Sequence, residues 1–201
     1  MTEEQARAWV VERHGAAAAD RIDAFLDLVR AENTRQNLVS PSTVPHLWVR
    51  HALDSAQLMA WDQSGMWLDI GTGGGFPGVV VAALRDAPAL LVEPRRKRAA
   101  FLQHCVEALG LHHVRVFATK VDGLSEPADV ISARAVASVE NLLQMARGCA
   151  KKTTRWLLPR GRSAAEDLAT LRRGWRGVFH VEHSLTDPES SILVLDGVSR
   201  R

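Results

Sequence analysis

Asp69-Ile70-Gly71-Thr72-Gly73-Gly74-Gly75-Phe76-Pro77-Gly78 is the stretch that decides how this 201-residue chain folds. The apolar run that leads into it, Trp67-Leu68-Asp69-Ile70, reads as a short buried strand, and Pro77 opens a helix behind it. Glycines at a strand-to-helix turn permit positive φ and let a ligand approach the backbone. In open α/β sheets, ligands sit outside the carboxyl ends of the strands, and this loop lies at the first such end.

Working outward toward the C-terminus, strands and helices alternate. Ala89 to Glu93, Val114 to Ala118, Asp129 to Ala133 and Trp156 to Leu158 read as strands. Helices are expected from Pro94 onward, with Ala99, Leu102, Cys105, Val106 and Leu109 on one face, and over 139–149 and 163–173. The alternation means a parallel sheet covered by helices. Val178 to His183 and Ser191 to Leu195 form a last pair joined by a turn at Asp187-Pro188, which must be antiparallel and adds an antiparallel strand at the edge.

Toward the N-terminus the pattern is helical. Residues 2–13 carry a capping box at Thr2-x-x-Gln5. Residues 17–31 place Ile22, Phe25, Leu26 and Val29 on one face, Asn33 to Pro45 is a polar break, and His46 to Trp61 is a third helix. We divide the chain into a helical region, 1–64, and a ligand-binding α/β domain, 65–201. The first holds 6 basic and 9 acidic side chains, the second 19 and 14. The basic groups are Arg95-Arg96-Lys97-Arg98, Lys151-Lys152 with Arg155, Arg160 with Arg162, and Arg172-Arg173 with Arg176. Several such groups on one domain point to an anionic partner.

No apolar run approaches membrane-spanning length and the acidic start shows no signal peptide, so a cytoplasmic protein is expected. Cys105 and Cys149 form no C-x-x-C pair, and the eight histidines have no metal spacing, so no metal site is expected. We expect a monomer.

Two ligands fit the glycine loop. Gly73-x-Gly75-x-x-Gly78, with Glu93 following Gly73 by 20 residues, satisfies the dinucleotide fingerprint, which would suit a nicotinamide-dependent oxidoreductase. Asp69, Gly71, Gly73 and Gly75, with Gly78 three residues on, also satisfy the D-x-G-x-G-x-G form used for S-adenosylmethionine. An acid just before the loop repels a pyrophosphate and suits a cationic ligand, which favours the methyl donor. Glu93 stands where a carboxylate can accept from ribose hydroxyls. Val121 and Asp122 follow the third strand, where an adenine edge would lie. Arg134, flanked by small residues, closes the fourth strand near the same ligand. His51 and Asp54 share one helix face and are candidates for steering a target base.

Three motifs in order carry a more specific likeness: Gly71 to Gly78 with its Phe-Pro-Gly ending, Glu93-Pro94-Arg95-Arg96-Lys97-Arg98, and Ser132-Ala133-Arg134-Ala135-Val136-Ala137-Ser138. With Asn37-Leu38 and His51-x-x-Asp54-Ser55 ahead of them, the chain from Asn37 to Gly161 resembles the bacterial small-subunit ribosomal RNA methyltransferases once called glucose-inhibited division protein B. The resemblance implies a class I methyltransferase (Rossmann-like) fold, S-adenosylmethionine as cofactor, and methyl transfer to guanine N7 in the 530 loop of 16S ribosomal RNA. By motif position, Gly71 and Phe76 would line the methionine and ribose end, Val121 and Asp122 would hold adenine, and Arg134 would close the site. Arg160-Gly161 stands where the family often has Lys-Gly.

Guanine N7 carries a lone pair and no proton, so its methylation needs alignment and no general base. This agrees with a chain in which no Ser/His/Asp set or carboxylate pair stands out. Arg95, Arg96, Lys97, Arg98 and Arg160 are the candidates for RNA phosphate contacts. A non-catalytic ribosome-binding protein on the same fold is the remaining alternative.

Overall fold

The computed structural model describes residues 1–201. The strands β1 (Trp67–Ile70), β2 (Ala89–Val92), β3 (Val114–Phe117), β4 (Ala128–Ala133), β5 (Ala150–Arg160), β6 (Trp175–His183) and β7 (Ser191–Arg200) form one sheet in the order β3-β2-β1-β4-β5-β7-β6. β1 pairs in parallel with β2 and β4, β2 with β3, and β4 with β5. β7 is antiparallel to both β5 and β6. The antiparallel strand expected at this end of the sheet is therefore present, one place in from the edge. The outermost strand, β6, again runs with the parallel set.

Helices α4 (Gly78–Ala83), α5 (Arg96–Ala108), α6 (Val139–Met145) and α7 (Ala164–Gly174) connect the strands. All four residues of β1 and all four of β2 are buried, as strands covered on both faces must be. Two apolar clusters result, one on each face. One contains Leu68, Leu90, Ile131 and Trp156 with α6. The other joins Trp67, Leu91 and the valines of α4 to Ile22, Phe25 and Leu26 of the N-terminal helices. The helical region thus shares a core with the sheet. Both cysteines are buried, and burial pushes the Cys105 thiol up to about 12.

The helical region contains α1 (Glu3–His14) and α2 (Ala16–Asn33). Thr2 and Gln5 exchange the two bonds of the capping box, at 3.2 and 2.9 Å. The third expected helix is instead a helical run that begins at Pro41 and changes winding. It is 3-10 over Pro41–His46, π-helical over Trp48–Leu53, α-helical in α3 (Asp54–Ala56) and 3-10 over Gln57–Trp61. Pro45 lies inside the first 3-10 segment, where it has no N–H to give, and a tertiary contact follows it. Glu3 accepts from the backbone N–H groups of Trp48 and Val49, both at 2.9 Å, so these donors need not bond one turn back. Single π-helical turns inside helices are rare and occur mostly at functional sites; this one carries His51.

Candidate functional site

The glycine loop caps the carboxyl end of β1. Gly71, Gly73 and Gly75 have φ of 65°, 59° and 99°. Their surroundings differ. A Cβ on Gly75 would lie 2.4 Å from Cζ of Phe25, so this glycine is needed for packing. On Gly71 it would lie 2.6 Å from Val136, whose loop covers that residue. On Gly73 it would lie 3.6 Å from Nη1 of Arg98 and from the Gly71 carbonyl, an ordinary contact distance, so a methyl fits there without a clash.

Two carboxylates hold the loop from behind. Asp69 is wholly buried. Its Oδ2 accepts from the Gly78 N–H (3.1 Å) and its Oδ1 from the Ser132 hydroxyl (2.6 Å), while Ser132 Oγ accepts from the Trp67 indole (2.8 Å). Burial raises the Asp69 carboxyl to about 6 against these bonds, which lower it. Glu93 is 3 % exposed and accepts from the backbone N–H of Gly73 (2.9 Å) and of Arg95 (2.8 Å). The sequence reading put Asp69 at the ligand; the geometry puts it underneath, shaping the turn. Glu93, read as a ribose acceptor, also latches the loop, and its oxygens keep further lone pairs. The N–H groups of Gly73 and Gly78 are both taken by these acids. A pyrophosphate would meet two buried carboxylates there, which disfavours a dinucleotide. Val121, in the turn Val121–Gly123, is 4 % exposed and packs with Leu68 and Val92, while Asp122 beside it is exposed.

Beside the loop, Arg134 at the end of β4 gathers the pre-domain motif. Its Nη1 donates to Asp54 Oδ2 (3.1 Å), its Nη2 donates to His51 Nδ1 (2.9 Å), and the guanidinium lies 5.4 Å from the Phe76 ring centroid. The His51 ring is 4.9 Å from Phe76, which leans on Phe25 at 5.1 Å. A guanidinium cannot accept, so Nδ1 is the acceptor and His51 Nε2 carries the proton toward Thr43 Oγ1, 2.9 Å away. Burial, then repulsion by Arg134 and Arg50, lowers the His51 imidazole to about 3. His51 is a neutral brace with its free lone pair already bound. Asp54 Oδ1 accepts from Gln57 (3.0 Å) and Thr186 (3.1 Å). His51 and Asp54, expected to steer the target base, both bond to Arg134.

A cleft of about 560 Å³ opens on the far side of Arg134. Leu38, Thr43 and Arg50 come from the helical region, Arg160 and Gly161 from the end of β5, and Thr186 and Asp187 from the β6–β7 turn. Every cation here has a carboxylate partner: Arg134 with Asp54, Arg50 with Asp187 (3.1 Å), and Arg160 with Asp167 (2.8 Å). Arg160 also donates to the Ala137 carbonyl (3.1 Å), so it braces the loop after β4 instead of standing free for phosphate. Arg95, Arg96 and Lys97 are exposed at the start of α5, without salt-bridge partners. Arg98 turns inward, donates to the Asn37 carbonyl (2.9 Å) and lies over Gly73. Leu38 covers Gly74, held there by Asn33, whose Oδ1 accepts from the N–H groups of Leu38 and Val39. Thr43, Arg50, Thr186 and Asp187 were not expected at the site. The only signal for the last two was a turn, and nothing local says that the turn docks on a helix 130 residues earlier.

A mostly parallel sheet with a terminal antiparallel hairpin, an acid-backed glycine loop after β1 and an acid ending β2 define a class I methyltransferase fold. A structure of a SAM-dependent methyltransferase from Aquifex aeolicus has the same fold, with a TM-score of 0.61 at 14% identity over 85% of this chain and 96% of that one. The family model described as GidB, rRNA small subunit methyltransferase G, matches residues 18–188, and the chain belongs to that family. Proteins named ribosomal RNA small subunit methyltransferase G are similar along nearly the whole chain. The one from Erythrobacter litoralis is 49% identical, covering 96% of this chain and 95% of its own. The one from Sphingopyxis alaskensis is 44% identical, covering 97% and 86%. No helix is long and apolar enough to cross a membrane.

Proposed function

We propose that this chain transfers the methyl group of S-adenosylmethionine to N7 of a guanine in the 530 loop of 16S ribosomal RNA, as a monomer. The residues fit the cofactor: Glu93 and Asp122 are acceptors for hydroxyl and amine donors, and two carboxylates behind the glycine loop suit a cationic ligand. When bound, that group supplies an electrophilic methyl on sulfur. The chain's residues have to align a target with it and exclude water.

One observation carries the choice of atom. The titratable groups that line the cleft are committed: His51 is neutral with Nδ1 bound to Arg134, Asp54 is saturated by donors, and Asp187 is paired with Arg50, while the acids with open lone pairs, Glu93 and Asp122, are the ones we assign to the cofactor. None is free to remove a proton. An exocyclic amine or a ribose hydroxyl must lose one, whereas N7 attacks with its lone pair. Arg134 then acts as a positioning residue between the loop and the cleft that receives the base. Arg95, Arg96 and Lys97 supply backbone contacts to the RNA. Their placement supports this, because three unpaired cations at the positive end of α5 oppose the helix dipole and gain from an added anion.

The test is tritiated-methyl transfer from S-adenosylmethionine to deproteinised 16S RNA and to small-subunit particles, followed by mapping of the labelled base. Label on N7 of one guanine is expected. Label on an amine or a ribose overturns the choice of atom. Cofactor binding with no labelling of either substrate favours the non-catalytic alternative.

A further inference from the structure

Two basic groups stand far from the methyl-transfer site. Lys151-Lys152 begins β5, and Arg172-Arg173 ends α7 with Arg176 following in β6. The sheet brings them together at its opposite end. One groove there, of about 540 Å³, is lined by Arg147, Lys151, Lys152 and Arg200. A second, of about 320 Å³, is lined by Arg172 and Arg176. Trp175, half-buried, lines both and so lies between them. No Asp or Glu lines either groove. Of the seven cations that line the two grooves, Arg201 in the second included, only Lys151 is ion-paired, with Asp129. This inverts the cleft beside Arg134, where every cation has an acid partner. Strand β7 measures the separation. Ser191 lines that cleft and Arg200 lines the distal groove, nine residue steps apart at about 3.3 Å each, or about 30 Å.

We propose that this distal surface is a second RNA-binding site, which holds a segment of the substrate RNA about 30 Å from the methylated base. The inference rests on the RNA-methyltransferase reading above. Charge alone would suit any polyanion. The aromatic plane set between two cationic grooves favours RNA, because unpaired bases stack on such a plane while the phosphates meet the cations. A short stem-loop engages only the methyl-transfer side. A long RNA reaches both.

The test is the double variant K152E/R176E in the full-length chain. Both side chains are exposed and make no recorded hydrogen bond or salt bridge, so folding is unaffected. Equilibrium binding to full-length 16S RNA and to a short stem-loop carrying the 530 loop is measured from 0.05 to 0.3 M salt. Each single-strand phosphate contact contributes about 0.7 to the salt exponent, so losing two lowers the slope by about 1.4 and the affinity at 0.1 M by about 25-fold. The stem-loop affinity and the heat of S-adenosylhomocysteine binding stay at wild-type values. An unchanged slope on 16S RNA overturns the proposal and assigns the patch to a partner of another class. So does an equal loss on the stem-loop, which would mean a general effect of charge. If the wild-type chain binds no 16S RNA, the RNA-methyltransferase reading fails with it.

Discussion

Alanine at Gly73 and alanine at Gly75 should have different consequences, one mainly for binding and the other for folding, although the two glycines are two residues apart and both have positive φ. At Gly75 two costs add. A non-glycine residue at φ 99° is strained by about 1–3 kcal/mol. Its Cβ also falls 2.4 Å from Cζ and 2.8 Å from Cε2 of Phe25. Phe25 is fully buried, so the ring cannot swing into solvent, and such overpacking costs about 1–3 kcal/mol more. The sum, about 2–6 kcal/mol, is a large part of the roughly 5–15 kcal/mol that holds a domain together. At Gly73 only the backbone term applies, about 1–2 kcal/mol at φ 59°, because the nearest atoms are 3.6 Å away. The added methyl there lies against Arg98 Nη1, on the face of the loop where we place the cofactor. Urea unfolding of both variants, with S-adenosylhomocysteine titrated into each by calorimetry, separates the effects. Gly75→Ala should be strongly destabilised. Gly73→Ala should lose a few degrees in Tm and at least tenfold in affinity, which is about 1.4 kcal/mol. If Gly73→Ala binds as tightly as wild type, the loop does not cradle the ligand on that face. If both variants lose equal stability, the distinction between the two glycines is wrong.

Other outcomes follow from the same geometry. Arg134→Gln removes the charge that repels a proton from His51, so the imidazole should rise from about 3 toward its ordinary range, read by NMR titration of the ring protons. In the wild type the lowered value means that stability falls as the pH drops from 6.5 toward 3, since only the unfolded chain takes the proton easily. Asp54→Ala strands the Arg134 guanidinium and the hydroxyl of Thr186 together; a loss of about 2–4 kcal/mol is expected in urea unfolding. It should also increase hydrogen exchange in the β6–β7 turn. Cys105, pushed up to about 12, should resist a thiol reagent until the chain unfolds, while unfolding in urea exposes it to immediate labelling.

The strand, loop and helix around Asp69–Gly78 were legible because they follow local rules: a short apolar run, glycines at the turn, a proline at the helix start. The capping box at Thr2 is local in the same way. What stayed hidden depends on distant partners. His51 and Asp54 share a helix face, which suggests a joint role. That both bond to Arg134, some 80 residues later, depends on the order of strands in the sheet. The mixed winding from Pro41 to Trp61 comes with Pro45 inside its first turn and with Glu3 taking two backbone donors, and nothing in residues 41–61 announces the second. Arg160 reads as a free cation until Asp167 and the Ala137 carbonyl are seen around it. Clusters of basic residues in a sequence overstate the free charge where acids lie close in space. They understate it where separate clusters converge, as at Lys152 and Arg176.

The buried acid behind the glycine loop argues the case most directly. A folded-state value of about 6 for Asp69, against 3.8 for the ordinary carboxyl, means that the folded chain holds this proton more tightly than the unfolded one. The group therefore favours folding most below pH 3.8, and that contribution is lost as the pH rises through about 6. Two pH units correspond to about 3 kcal/mol. Asp69→Asn keeps an acceptor for the Gly78 N–H and removes the titration. The variant's stability should change less than the wild type's between pH 4 and 7, and its amide must turn Ser132 away from its present bond. A wild-type chain forgoes that stability only if the ionised form does something an amide cannot. A negative charge directly beneath a loop that receives a sulfonium and an ammonium is such a use. The prediction is therefore double: at pH 7 Asp69→Asn should be as stable as wild type or more so, and should bind S-adenosylhomocysteine, whose ammonium remains positive, more weakly. Equal binding by both would leave the charge without a function and return Asp69 to the role of a hydrogen-bonding spacer.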